Sequence, residues 1–267
     1  MSRMPSIFIS HGAPNIVLSD LPAKTFLETM AQDLPRPKAI VVVSAHFEHA
    51  GVAVVADPKP DMIYDFGGFE AALYKMVYAA PGSPQVAERA IALLAKAGLN
   101  PAHVPKRGYD HGTWNPLILA YPDADIPVVV VSVDPSKDAR HHFAIGKALA
   151  PLADEGVLII GSGHITHNLR GFFMRGRDAG FDAMIDKASA EFVNWIYDRV
   201  SAGDIEALLN WETEAPFAKE NHPETEHFMP FFAALGAGGD HANATRLHHS
   251  LQSGFFAYDH YAFAKAA

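Results

Sequence analysis

Histidine is the residue whose placement carries chemistry in this chain. His11 follows the run Ser6-Ile-Phe-Ile-Ser10 directly and turns through Gly12-Ala13-Pro14, while His46 lies three residues beyond the apolar run Ala39-Ile-Val-Val-Val43. His164 and His167 follow a third run, Gly156-Val-Leu-Ile-Ile160, across Gly161-Ser162-Gly163. An imidazole at the end of a buried strand can ligate a metal or exchange protons near neutral pH. A turn histidine that merely caps its strand is the competing reading for each one alone, and repetition at three strand ends weakens it. His111 sits in the turn-rich stretch Tyr109-Asp110-His111-Gly112-Thr113-Trp114, and His222 and His227 flank Pro223-Glu224-Thr225-Glu226. Those two are five apart across a proline, which excludes a His-Glu-x-x-His zinc helix. Pro223 suits the first turn of a helix and pushes His222 out of helical geometry. This reading makes His227 the candidate ligand and leaves His222 as a substrate or supporting group.

Composition narrows the chemistry. The 267 residues include 15 histidines and no cysteine, so a metal must be held by nitrogen and oxygen donors, and disulfides and thiolate catalysis are excluded. That histidine content is more than twice the roughly 2% of an average soluble chain. A formal charge of -9 without a basic cluster argues against nucleic acid and for a small-molecule substrate. No stretch approaches the roughly 18 apolar residues of a membrane span, and the first residues lack a signal-peptide pattern, so a cytoplasmic location is expected. Gly161-Ser162-Gly163 lacks the glycine that a serine-hydrolase elbow places two residues before its serine, and no nucleotide-binding glycine fingerprint follows the first strand. His49, His141, His142, His241, His248, His249 and His260 lie in contexts that predict exposure.

The elements that must position these groups alternate between strand and helix. The three runs above, with Gly51–Val55 and Ile126–Ser132, read as buried strands, and helices are predicted over Leu21–Gln32, Gly68–Tyr78, Ser83–Ala97, Ser136–Leu152, Phe181–Val200 and Pro223–Leu235. The pattern predicts an α/β fold, a mostly parallel or mixed sheet flanked by helices on both faces, in a single domain spanning residues 1–267. In such sheets ligands bind at the carboxyl ends of strands, which is where the histidines fall.

Taken together, Ile9-Ser-His-Gly-Ala-Pro14, Ser44-Ala-His46, Tyr64-Asp-Phe-Gly-Gly-Phe69, Tyr78-Ala-Ala-Pro-Gly82, Asp110-His-Gly-Thr-Trp114, Gly161-Ser-Gly163, Thr166-His-Asn-Leu169 and His222-Pro-x-x-Glu-His227 resemble the class III extradiol ring-cleaving dioxygenases of the LigB superfamily, in the branch similar to DOPA extradiol dioxygenases. The resemblance runs over residues from about 9 to 230. It implies a metal site at one sheet edge held by His11, His46 and His227, with His167 as acid/base and His111 as a second active-site histidine. The family usually has a small residue where this chain has His164, which therefore joins His222, Tyr64 and Trp114 as a candidate substrate-contacting group. Catechol and dioxygen are the implied partners, and a ring-opened semialdehyde the product. The residues alone suit zinc as well as iron; only the resemblance selects ferrous iron, with Zn(II) as the other ion the site could carry. A zinc hydrolase on the same imidazoles and a non-catalytic metal or aromatic-ligand binding protein are the alternatives, and a homo-oligomer is compatible with the sequence.

Overall fold

The computed structural model describes residues 3–239 and 242–265. Its strands are β1 (Ser6–Ser10), β2 (Ala39–Glu48), β3 (Ala53–Val55), β4 (Ala102–Val104), β5 (Val128–Val133), β6 (Val157–Gly163), β7 (Ala242–His248), β8 (Leu251–Gln252), β9 (Phe256–Ala257) and β10 (His260–Lys265). The helices are α1 (Pro22–Thr29), α2 (Pro84–Lys96), α3 (His111–Ala120), α4 (Ala139–Leu149), α5 (Pro151–Asp154), α6 (Leu169–Met174), α7 (Ala179–Ala202), α8 (Ile205–Leu209), α9 (Trp211–Glu214), α10 (Ala218–Asn221) and α11 (Met229–Gly238).

Eight strands form one mixed sheet in the order β4-β3-β5-β2-β6-β1-β10-β7, and β8 and β9 pair separately as a short hairpin. The centre, β5-β2-β6-β1, is parallel, whereas β3 opposes β5 and β10 opposes β1. Side chains alternate along each strand, so the Val and Ile runs feed two apolar layers at once. Phe8, Val41, Val43, Val129 and Ile159 pack on the face covered by α4, α7 and α11, while Ile7, Ile9, Ile40, Val42 and Val130 pack on the opposite face, with Leu27 of α1 and Leu117 of α3.

Helix α11 is buried along its whole length, which its uniformly apolar sequence requires. It lies close against the sheet because β6 ends in glycines. A Cβ at Gly161 would fall 2.0 Å from the Pro230 carbonyl oxygen, and one at Gly163 would fall 2.1 Å from that of His227.

Several expected elements change. The helix predicted over Gly68–Tyr78 shrinks to one 3-10 turn, Leu73–Lys75, because Gly68 adopts φ +77° and Tyr78 is drawn, fully buried, into the core. The Ser136–Leu152 helix is broken at Ala150, where Pro151 has no N–H to continue the ladder. The last predicted helix begins at Met229 rather than Pro223, with Pro230 in its first turn, so His227 lies on the connection before α11 and not within it. Strands β4 and β7 to β10 carry no strong apolar run and were not expected.

Two histidines expected at the surface are buried. His260 is packed with its ring centroid 4.6 Å from that of Phe26. His142 accepts the Asp134 N–H on Nε2 at 3.1 Å, and its Nδ1 faces the Asp138 carbonyl oxygen at 2.8 Å. His141 and His248 are half-buried and His249 is exposed, while His241 lies outside the described residues. Protonating His142 would set two donors face to face, and burial pulls its pKa down to about 4. The unfolded chain then binds a proton between pH 6.5 and 4 that the folded chain refuses, so stability falls as pH drops through that window. Urea unfolding of the metal-free protein is expected to show His142→Gln losing stability less steeply than wild type there, the slopes differing by about 1.4 kcal/mol per pH unit.

Candidate metal centre and its cavity

The site stands where three neighbouring parallel strands end. Register pairs Ser162 of β6 with Ile9 of β1 on one side and with Ser44 of β2 on the other. His11 therefore leaves β1, His46 leaves β2, and His164 leaves β6 at one edge of the sheet. Gly12 turns the chain with φ +71°, and a Cβ there would lie 2.7 Å from the Tyr258 ring. His227 reaches the same point from the connection before α11, its carbonyl accepting the His164 N–H at 2.8 Å.

The Nε2 atom of His46 is 3.0 Å from that of His11 and 3.2 Å from that of His227. The opposite ring nitrogens decide what those contacts are. Ser162 donates its hydroxyl hydrogen to the Gly112 carbonyl, so at 3.0 Å its oxygen must accept from His11 Nδ1–H. His227 Nδ1 is 2.8 Å from Glu226 Oε1, and His46 Nδ1 is 3.4 Å from Asp65 Oδ2. With the protons placed on Nδ1, three Nε2 lone pairs converge with no hydrogen between them. Burial first, and mutual repulsion second, hold His11 and His227 well below the usual imidazole pKa, and burial holds His46 at about 4. A cation is what satisfies such an arrangement. Nitrogens about 2.1 Å from one ion are about 3.0 Å apart at right angles and about 3.4 Å apart in a tetrahedron, so separations of 3.0 and 3.2 Å fall in the range that three ligands of one ion span.

His167 stacks on His227 with centroids 3.5 Å apart and planes 12° from parallel, and its Nδ1 is 4.0 Å from Glu226 Oε1. His111, the first residue of α3 rather than a loop residue, places its ring 3.9 Å from that of His46. Its Nδ1 and its backbone N–H each lie 3.0 Å from Asp65 Oδ1. Burial alone would raise the Asp65 pKa; the His111 hydrogen bonds and the nearby His46 outweigh it and bring it down to about 2. The carboxylate thus links His46 and His111.

These histidines floor a cavity of about 510 Å³ whose walls are largely aromatic, including Phe66, Phe69, Phe172 and Phe256. His164 lines it too, edge-on to Tyr258 at 4.9 Å. Three candidates from the sequence stand elsewhere. Tyr64 donates its hydroxyl to the Met76 carbonyl and Trp114 its indole N–H to that of Ile63, so neither reaches the wall; both instead back Phe66, with centroids 6.2 Å away. His222 is corrected more sharply. Its ring points into the core beside Phe228, 4.9 Å away, and its Nε2 is 2.9 Å from the Ile165 carbonyl. The residues that sequence reasoning missed are the anchors Ser162 and Glu226, the linking role of Asp65, and Gln252, Phe256 and Tyr258 from the β8–β9 region. Glu226 and Ser162 stand inside the quoted motifs, which was their signal, though no role attached to them; the hairpin offered none.

An open α/β sheet with imidazoles gathered at its carboxyl edge is the framework of a metal-dependent small-molecule enzyme. The family described as the catalytic LigB subunit of aromatic ring-opening dioxygenase matches residues 6–263, and the chain belongs to it. The 4,5-DOPA dioxygenase extradiol of Beta vulgaris is 44% identical over 97% of this chain and 96% of its own length. The protein of the same description from Escherichia coli K12 is 40% identical over 88% of this chain and 86% of its own. An uncharacterized Escherichia coli K12 protein of known crystal structure superposes with a TM-score of 0.78 at 33% identity, covering 97% of this chain and 99% of that one. The chain is accordingly an extradiol dioxygenase, an oxidoreductase that inserts molecular oxygen, and the hydrolase alternative finds no support among these relatives. Among the described residues no helix is long and apolar enough to cross a membrane.

Outer contacts that hold a ligand's second nitrogen typically contribute 10- to 100-fold in metal affinity. Glu226→Ala is expected to weaken metal binding by about that factor, read by chelator competition, with the fold retained by circular dichroism. Unchanged affinity would show that the His227 tautomer does not depend on Glu226.

Proposed function

We propose that His11, His46 and His227 hold one ferrous ion, that His111 and His167 move protons beside it, and that the chain acts as one catalytic domain opening a substituted catechol to a semialdehyde. The observation that carries this reading is the convergence of three unprotonated Nε2 atoms at the floor of an aromatic cavity. When bound, the metal supplies adjacent open positions for catecholate and dioxygen and a path for electrons between them.

The protein's part is to bind, orient and exchange protons. Asp65 behind Nδ1 of His111 leaves Nε2 as the nitrogen suited to taking a catechol hydroxyl proton. His167 lies across His227 at the other side of the floor, where it can return a proton as the ring opens. The aromatic walls keep bulk water from the reacting centre. Relatives named for 4,5-DOPA support a ring bearing a side chain, DOPA itself or another substituted catechol. Zinc fits the same imidazoles, and ferrous iron is preferred because inserting dioxygen needs a redox-active ion, which zinc is not.

Anaerobic loading with Fe(II) followed by oxygen-electrode measurement over a catechol panel is expected to show stoichiometric uptake. Uptake with none of them, despite binding, would leave a binding protein instead. His167→Phe is expected to keep catechol affinity within a few-fold while turnover falls about 10²- to 10⁴-fold. Turnover near that of wild type would remove His167 from proton transfer.

A further inference from the structure

The cavity is too large and too apolar to be explained by a bare catechol. A cavity of about 150 Å³ suffices for benzene, and this one measures about 510 Å³. Beyond the histidine floor its wall is built from Phe66, Phe69, Leu169, Phe172, Phe173 and Phe256. The apolar character continues outward, since Leu169 is 49% and Phe173 69% exposed. Soluble proteins keep large apolar side chains exposed together mainly where something apolar docks.

Positive charge is missing from the same wall. Among the described residues no lysine or arginine lines the cavity. Arg107 comes nearest the histidines, but it donates to the His46 carbonyl at 3.0 Å, pairs with Asp110 at 2.8 Å and covers the Phe47 ring, so it is held behind the site. Arg170 adjoins Leu169 in sequence but is exposed and off the wall. The polar wall residues supply neutral groups: Asn15 Nδ2 faces Glu70 at 3.4 Å, Gln252 accepts the Tyr258 hydroxyl at 2.8 Å, and the His164 ring has no partner at Nδ1. A carboxylate lying along this wall, away from the metal end, would lose its hydration without gaining a lysine or arginine partner. The overall charge of -9 repels it before it arrives.

Resting on the dioxygenase reading above, we infer that this cavity selects catechols whose ring substituent is uncharged and apolar, and discriminates against those carrying a carboxylate. Its specificity thereby departs from that of relatives named for DOPA, whose ring substituent carries both a carboxylate and an ammonium group. The substituent lies along the phenylalanine walls and points toward Leu169 and Phe173, while the two ring hydroxyls face the histidines.

The test compares kcat/KM for 4-methylcatechol, 4-propylcatechol, homoprotocatechuate, dopamine and DOPA on iron-loaded enzyme, alongside calorimetric binding of the same compounds to the metal-free protein. Affinity is expected to rise about fourfold per added methylene. We expect 4-propylcatechol to exceed homoprotocatechuate and DOPA by 30-fold or more, chiefly through KM. Phe173→Arg is expected to shift the ratio at least tenfold toward homoprotocatechuate, whereas Arg170→Ala leaves it unchanged. A charged catechol matching or exceeding 4-propylcatechol, or DOPA turnover lost in Arg170→Ala, overturns the inference and leaves the dioxygenase reading intact. Absence of oxygen uptake with every catechol overturns that reading instead, and the binding order on the metal-free protein still decides the selectivity.

Discussion

Three imidazole nitrogens without a proton to share, His46 Nε2 standing 3.0 Å from that of His11 and 3.2 Å from that of His227, form the constraint on which the rest of this structure depends. Neutral nitrogens repel at that distance, and burial deprives them of water. The arrangement persists because each ring is turned and held from behind, by Ser162, Glu226 and Asp65 respectively. Those anchors place the hydrogens on the outer nitrogens and so present the inner ones to a cation. The scaffold follows from the same need: two ligands sit on strands flanking β6, and the third must come from across that strand. Only glycine at Gly163 lets the His227 carbonyl approach closely enough to accept the His164 N–H.

Around this floor the molecule is asymmetric in polarity. Carboxylates and hydroxyls stand behind the histidines, where they tune and orient, and aromatic rings stand in front, where substrate enters. Tyr64 and Trp114 belong to a layer behind Phe66, fixing an aromatic that does touch the cavity. The β8–β9 region contributes Phe256 and Tyr258 from the far end of the sequence, with the Phe256 ring 5.1 Å from that of Phe172 on α6. The result separates two tasks, charge handling at the metal end and shape recognition at the mouth.

Much of the site was legible because it is written locally. His11 and His164 follow buried strands and His46 lies near the end of β2, and strand ends in a parallel sheet converge whatever the loops do. His227 was singled out on the expectation of a helix over Pro223–Leu235, yet it lies before α11; proline chemistry marked a helix start, but at Pro230 rather than Pro223. His222 shows the opposite case. Its neighbours suggested a site residue, and only the packing of Trp211, Phe192 and Phe228 turns its ring into the core. His142 and His260 were read as exposed because burial of a polar ring depends on partners distant in sequence.

By itself the sequence determined the ligand menu, through the absence of cysteine and the excess of histidine, and it marked the central strands, through short β-branched runs. It also carried the motifs that tie the chain to the extradiol family. Tertiary structure alone decided which nitrogens face one another, which carboxylate stands behind which ring, and that, among the described residues, no lysine or arginine lines the cavity. The physical reason is that composition and periodicity are properties of short segments. A tautomer, a ring orientation and the charge lining a cavity are set by contacts between segments up to some two hundred residues apart.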